Sequence, residues 1–185
     1  QLQVHSTRRT GWSVANGQID LAIIGGQLPS DLENLLQVIP YATDELALVL
    51  PTKHPLSNKK ELLKEDLYKL NFVTLDSQST TRKVVDKLLQ DSGLDIQRLK
   101  IEMELNSLEA IKNAVQSGLG ASFLPVVSIE RELAAGTIHK AFIADLEVER
   151  ELKLITNPSR YTSRASEVFK KNILPQFASL ESPLR

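Results

Sequence analysis

The chain has 185 residues, of which 42% are hydrophobic and 24% charged, and its formal net charge is −1. This length and composition suit one globular domain or two small lobes, and the charge balance gives no basic stripe of the kind that binds nucleic acid. Cysteine is absent, which excludes disulfides, thiolate zinc sites and cysteine nucleophiles. No apolar run approaches the roughly 20 residues that span a bilayer, and no signal peptide is visible.

The first part of the chain has the pattern strand, helix, strand. Residues 1–5 alternate as a strand does, residues 6–17 have the start and stop signals of a helix, and residues 19–24 form a short apolar strand. This βαβ pattern predicts a parallel sheet, in which ligands bind at the carboxyl ends of the strands. Gly25 directly follows the second strand and is a candidate ligand contact, with a simple glycine turn as the alternative.

The middle of the chain continues the alternation of strands and helices. Residues 45–50 and 72–75 are predicted strands, residues 62–70 a short amphipathic helix, and residues 83–91 a helix with one apolar face. The polar loop over residues 76–82 is rich in hydroxyl groups and leads into this second helix.

Residues 99–125 give the most complete signal of a strand–helix–strand unit. Apolar and charged residues alternate over 99–105, Asn106 is a suitable N-cap, and Glu109 stands where a capping box places an acid. Gly118 fits a left-handed C-terminal cap. The N-terminus of this helix is therefore expected to face a cleft, where its amide groups attract anions.

The same periodicities predict the remaining elements. They are a helix over residues 127–135, strands over residues 138–143 and 152–156, and a last helix over roughly residues 163–180.

The loop that precedes the helix at residue 83 collects groups that bind anions. Its members are Ser77, Gln78, Ser79, Thr80, Thr81 and Arg82. Amide groups at a helix N-terminus, the helix dipole and a guanidinium together suit a phosphate or a carboxylate. Simple capping of the helix by Ser79 or Thr80 is an equally good explanation from the residues alone.

Three further positions are candidates on similar grounds. Thr7 lies in a run of hydroxyls and arginines at the start of the first helix, where capping is again the alternative. For Asn106 and Ser107, an N-cap is the first interpretation and a ligand contact is the second.

Catalytic and metal-binding patterns are absent from the sequence. The three histidines are far apart and none has the spacing of metal ligands, and there is no nucleophile elbow, P-loop or dinucleotide-binding fingerprint. Asp20 and Asp44 could form a carboxylate pair, but nothing in the sequence fixes their distance. We expect neither an enzyme, nor a cofactor, nor a metal.

The segment from Asn106 to Pro125 reads Asn-Ser-Leu-Glu-Ala-Ile-Lys…Val-Gln-Ser-Gly-Leu-Gly-Ala-Ser-Phe-Leu-Pro. This order resembles the second-subdomain signature of LysR-type transcriptional regulators, in which a variable helix is followed by Val-x-x-Gly-x-Gly, a small-residue strand and Leu-Pro. Residues 17–23, Gly-Gln-Ile-Asp-Leu-Ala-Ile, match a second recurrent phrase of the family. His-Pro-Leu at residues 54–56 resembles the passage into its second lobe.

The resemblance implies an α/β fold of two Rossmann-like lobes joined by two crossing strands, like a periplasmic binding protein. Lobe I would comprise residues 1–44 and 152–185, and would lack its usual first strand and helix. Lobe II would comprise residues 45–151. The helix-turn-helix that binds DNA would lie upstream of the first residue.

Three stretches look like the branch of the family that regulates the Rubisco operon and inorganic-carbon uptake in cyanobacteria and plastids. These are residues 5–26, residues 75–80 and residues 102–120. The resemblance implies an anionic effector of the ribulose-1,5-bisphosphate, 2-phosphoglycolate or 2-oxoglutarate type, bound between the lobes. In the family, the positions of Thr7 and Thr80 often contact the effector.

The resemblance also implies a homodimer or tetramer in the full-length protein, in the cytoplasm or the plastid stroma, that binds DNA only through its upstream domain. A free-standing solute-binding protein for small anions is the alternative. Residues upstream of Gln1 would distinguish the two.

Overall fold

The computed structural model describes residues 5–175, apart from the side chain of Ile173. The first four residues of the strand predicted over residues 1–5 and the end of the last predicted helix therefore lie outside the described residues. The chain divides into two compact units. Unit 1 comprises Gln1–Asp44 and Arg150–Arg185, and unit 2 comprises Glu45–Glu149.

Helices and strands alternate along most of the chain. The helices are α1 (Thr7–Ala15), α2 (Ser30–Glu33), α3 (Thr80–Asp91), α4 (Leu108–Gln116), α5 (Val126–Ala134) and α6 (Arg164–Val168). The strands are β1 (Leu21–Ile24), β2 (Gln37–Pro51), β3 (Asn71–Leu75), β4 (Lys100–Leu105), β5 (Ser122–Pro125), β6 (Ile138–Ala141) and β7 (Glu149–Thr156). Short 3₁₀ helices occupy Pro55–Asn58, Lys64–Lys69 and Ile96–Arg98, and a π-helical turn at Phe169–Ile173 follows α6. None of the described helices has the length and apolar character needed to cross a membrane.

Unit 1 is built on a sheet in which β7 lies between β1 and β2. β1 pairs antiparallel with β7, and Ile24 stands opposite Lys153. Val14, Leu32 and Ile155 are buried in the core of this unit. The parallel partner that the sequence predicts for β1 falls within residues 1–5 and is not tested.

Unit 2 buries the second half of β2 on both faces. Leu46, Leu48 and Leu50 pack into one apolar cluster with Phe72. The alternate residues of the strand pack into a second cluster with Val115. Because both faces are covered, this part of β2 is a continuous apolar run rather than an alternating one. β5 and β6 pair antiparallel with it.

A parallel edge in unit 2 is the feature that positions the candidate site. β3 and β4 are parallel, with Leu75 opposite Leu105. On the side of β3 that faces away from β4, Val73 donates its N–H to the carbonyl of Ala121 at 2.9 Å. Ala121 directly precedes β5. The helices α3, α4 and α5 are the next elements after β3, β4 and β5, with four, two and no residues between strand and helix, respectively. The carboxyl ends of these strands and the N-termini of their helices therefore share one edge, as a strand–helix repeat requires.

Several predicted boundaries are wrong. α3 begins at Thr80, three residues before the predicted start, and the predicted helix over residues 62–70 is a 3₁₀ helix at Lys64–Lys69. In that segment a carboxylate oxygen of Asp66 accepts the N–H of Leu63 at 3.1 Å, which fixes a tight turn. β2 begins at Gln37, well before the predicted strand at residues 45–50. The last predicted helix is α-helical only over Arg164–Val168 before its π-helical turn.

The predicted cap of α4 is shifted by one residue. Ser107 rather than Asn106 is the N-cap, so Glu109 does not stand in a capping-box position; its carboxylate bonds to Lys112 instead. The other end of α4 is as predicted, because Gly118 has φ of 84°. The N–H groups of Gly118 and Leu119 bond back to the last turn of the helix, which completes a Schellman motif.

Candidate functional site

The two predicted anion-binding loops of unit 2 lie side by side at the carboxyl edge of β3 and β4. The N–H of Asp76 donates to the carbonyl of Leu105 at 3.0 Å, so the turn after β3 is joined to the end of β4. Residues 77–79 follow the first strand and residues 106–107 follow the second. The structure thus brings these five predicted residues to one edge of unit 2.

The turn before α3 is held by Asp76. Its carboxylate accepts the N–H of Gln78 at 2.9 Å, and its carbonyl accepts the N–H of Ser79 at 2.9 Å. Ser77 and Gln78 are exposed, whereas Ser79 and Thr80 are half-buried. Asp76 therefore shapes the backbone that presents the hydroxyl groups.

The N-cap residues of three neighbouring helices leave their first turns without a side-chain cap. Ser79, Ser107 and Pro125 are the N-caps of α3, α4 and α5, and none of their side chains bonds to the following turn. The capping explanation for the hydroxyl of Ser79 is therefore wrong. The positive ends of three helix dipoles meet at this edge, which is an electrostatic setting that favours an anion.

Arg82 is engaged within unit 2. Its Nε donates to both carboxylate oxygens of Asp86 at 2.8 Å, and its Nη1 donates to the hydroxyl of Thr74 and lies 3.4 Å from Glu104. Only 15% of the side chain is exposed. Arg82 therefore joins α3 to β3 and β4, and its role as a ligand contact stays a prediction.

Thr7 and Gly25 lie in unit 1. Thr7 is the first residue of α1 and is buried, and Gly25 directly follows β1. After α1, the short connection over residues 16–20 reverses the direction of the chain, and β1 then packs against α1. The start of α1 and the end of β1 therefore lie at the same end of unit 1.

Sequence reasoning missed the role of Arg150 beside Gly25. The Nε of Arg150 donates to Oδ2 of Asp44 at 2.8 Å, and Nη2 bonds to the same oxygen. No local pattern could have found this pair, since 106 positions separate its members. The carboxylate pair of Asp20 and Asp44 that the sequence left open is not needed to explain either side chain. Asp44 pairs with Arg150, and Asp20 accepts bonds from Ser163 and Ser166, which lower its pKa.

Metal ligands do not converge in the described part of the chain. Between residues 5 and 175, no group of three or more histidine and acidic side chains could hold an ion. The described residues at the carboxyl edge of unit 2 offer hydroxyls, the amide side chains of Gln78 and Asn106, and helix N-termini. This set can bind an anion.

A family model for the LysR substrate binding domain matches residues 1–178. The chain belongs to this family. In this LysR family, a protein of Synechocystis named "Probable RuBisCO transcriptional regulator" is 60% identical over 179 residues, which are 97% of this chain and 52% of that protein. A protein of the same name from Porphyra purpurea is 58% identical, over 97% of this chain and 56% of its own length. The chain thus spans about half the length of these relatives, and the family is one of transcriptional regulators rather than enzymes.

Solved structures of LysR-type domains share the fold. The regulatory domain of Synechocystis CcmR in complex with 2-PG has a TM-score of 0.81 at 22% identity, over 100% of this chain and 84% of that one. The effector-binding domain of QuiR in complex with shikimate has a TM-score of 0.77 at 22% identity, over 95% and 79%. The predicted α/β fold of the periplasmic-binding-protein type is confirmed.

Proposed function

We propose that this chain is the effector-sensing domain of a LysR-type DNA-binding regulator that controls genes for carbon fixation or inorganic-carbon uptake. Relatives named as RuBisCO regulators cover 97% of the chain at 58–60% identity, which supports this function over a free-standing solute-binding protein. We further propose that units 1 and 2 are the two regulatory lobes of the family.

One observation carries the proposal of an anionic ligand. Three helices of unit 2 begin at one edge, and the side chains of their N-caps do not bond to the first turns. A bound phosphate or carboxylate could accept hydrogen bonds there from backbone amides and from the hydroxyls of Ser79 and Ser107. Ser77, Gln78 and Thr80 line the same turn, and Asn106 the neighbouring loop.

The ligand class follows from this chemistry. Ribulose-1,5-bisphosphate, 2-phosphoglycolate and 2-oxoglutarate all present phosphate or carboxylate groups, and a solved relative in fold is bound to 2-PG. Binding would shift the population of conformations that the domain adopts. The full-length protein would be a homodimer or tetramer in the cytoplasm or the plastid stroma, and would contact DNA through a helix-turn-helix outside this chain.

Calorimetric titration of the domain with these three anions tests the proposed function, with uncharged ribose as the control. We expect at least one anion to bind and ribose not to bind. Binding of none of the three would contradict the proposal.

Thr80→Val separates ligand contact from stability at the start of α3. Valine keeps the shape of threonine but removes its hydroxyl, so anion affinity should fall roughly ten- to a hundredfold if the hydroxyl bonds the ligand. The melting temperature of the same variant reports any structural role. A lower melting temperature with normal affinity would remove Thr80 from the site.

A further inference from the structure

Arg150 occupies the space that a side chain at position 25 would need. A β-carbon on Gly25 would lie 3.2 Å from Nε and Nη1 of Arg150 and 3.1 Å from a methyl carbon of Leu152. These distances are shorter than ordinary van der Waals contacts. The backbone of Gly25 is not left-handed, so its conformation does not require glycine. Room for Arg150 and Leu152 is therefore the physical reason for a glycine after β1.

Asp44 fixes the orientation of this guanidinium. Nε and Nη2 of Arg150 both donate to one oxygen of Asp44, whose side chain is only 4% exposed. The Arg150 side chain is 15% exposed. Two bonds from a planar guanidinium to a buried carboxylate restrict its rotation, so Arg150 is held against Gly25 in a defined geometry.

We propose that Arg150 is an anion-contacting residue of this domain, oriented by Asp44 and given room by Gly25. It binds a phosphate or carboxylate group at the end of unit 1 where Gly25 and Thr7 lie. A guanidinium suits such groups because its donors are arranged in a plane that matches two acceptor oxygens. The inference rests on the proposed function, since it names a contact for the same class of ligand.

The alternative is an ion pair with a purely structural role, and removal of Asp44 distinguishes the two. If Arg150 binds an anion, the carboxylate of Asp44 competes with the ligand for the same positive charge. Asp44→Asn keeps an acceptor oxygen but removes the competing charge, so anion affinity should stay within threefold of wild type or rise. Arg150→Gln should lower affinity roughly ten- to a hundredfold.

The titration uses ribulose-1,5-bisphosphate, 2-phosphoglycolate and 2-oxoglutarate on the wild-type domain and the variants. Arg164→Gln is the matched control for net charge, because Arg164 is an exposed residue of unit 1 at the start of α6. The neighbouring Ser163 bonds to Asp20, which precedes β1, whereas Gly25 follows it. Because a strand rises roughly 3.3 Å per residue, Asp20 and Gly25 lie at opposite ends of β1, and Arg164 is at the end that is far from Gly25. Affinity of the control should equal that of wild type.

A double variant covers the case in which Arg150→Gln unfolds the domain. Asp44→Asn with Arg150→Gln leaves an uncharged pair that can still form a hydrogen bond, so it should fold better than Arg150→Gln alone and still bind weakly. Normal affinity in the double variant, or equal losses in Asp44→Asn and Arg150→Gln, would overturn the inference. A wild-type domain that binds none of the three anions would contradict the proposed function and this inference with it. Wild-type binding that Arg150→Gln leaves intact would contradict the inference alone.

Discussion

Lys112 of α4, which is buried, and Glu132 of α5, which is 17% exposed, form an ion pair with 2.9 Å between Nζ and Oε1. The same ammonium group bonds to Glu109 at 2.7 Å and to the carbonyl of Ser128 at 3.1 Å. The bonds that Lys112 donates to the carboxylates of Glu109 and Glu132 raise the pKa of Lys112, and the bond that Glu132 accepts from Lys112 lowers the pKa of Glu132. This cluster ties α4, which begins at the candidate site, to α5.

Lys112→Met should therefore lower the free energy of unfolding by about 3–5 kcal/mol, because it leaves the largely buried carboxylate of Glu132 without its partner. One oxygen of Glu132 is buried and has no hydrogen-bond partner among the described residues, even in the intact cluster. Chemical denaturation at pH 7 measures the loss. The double variant Lys112→Met/Glu132→Leu is the control and should recover most of it; a double variant as unstable as the single one would contradict the explanation.

Because of Asp66, the free energy of unfolding should depend on pH in the acid range. Bonds from Lys69 and then Lys59 hold the pKa of this buried carboxyl far below its ordinary value of 3.8. Because the pKa of Asp66 is lower in the folded than in the unfolded state, its ionised form stabilises the fold above pH 3.8. This stabilisation is lost as the pH falls towards the folded-state pKa. Asp66→Asn should lower the free energy of unfolding by about 2 kcal/mol at pH 7.

The pH series gives the sign of this effect. The stability difference between wild type and Asp66→Asn should shrink as the pH is lowered from 4 towards 2. Asp91→Asn, at an exposed position that ends α3, is the control and should change stability by less than about 0.5 kcal/mol. A difference that is constant from pH 7 to pH 2 would show that the charge of Asp66 is not responsible.

Gly118→Ala should destabilise unit 2 through the backbone alone. The φ of 84° is strained for alanine, while a β-carbon there would meet no atom of the described residues within 4 Å. We expect a loss of about 1–2 kcal/mol in the free energy of unfolding. Gly118→Asn is the matched variant and should lose less, because asparagine tolerates the left-handed conformation better. Equal losses in the two variants would argue against backbone strain as the cause.

Local sequence signals predicted the elements whose causes are local. The apolar face of α4 and the stop at Gly118 depend on neighbours within four residues, and both were predicted. The exact cap was not, since Asn106 and Ser107 are both good N-caps and only the path out of β4 decides between them. Likewise, the hydroxyl run over residues 77–81 offers several starts for α3.

Contacts between residues that are distant in the chain could not be predicted from local sequence patterns. From the sequence, Arg82 is a charge available to a ligand. In the structure, β4 places Glu104 beside it. The first half of β2 is a strand although its residues are mostly exposed or half-buried and include Pro40, because β7 pairs with β2. Gly25 has the sequence context of a turn or a ligand contact, and only the position of Arg150 shows what its missing side chain makes room for.

The most direct test of an anion site on unit 2 is the affinity of Ser79→Ala for the anion that the wild-type domain binds. The hydroxyl of Ser79 does not cap α3, so its removal should leave the melting temperature nearly unchanged. Ser117→Ala, at the exposed C-cap of α4, is the matched control. The account predicts a roughly ten- to a hundredfold weaker affinity for Ser79→Ala and wild-type affinity for Ser117→Ala, both measured by calorimetry. Wild-type affinity in Ser79→Ala, or an equal loss in both variants, would contradict it.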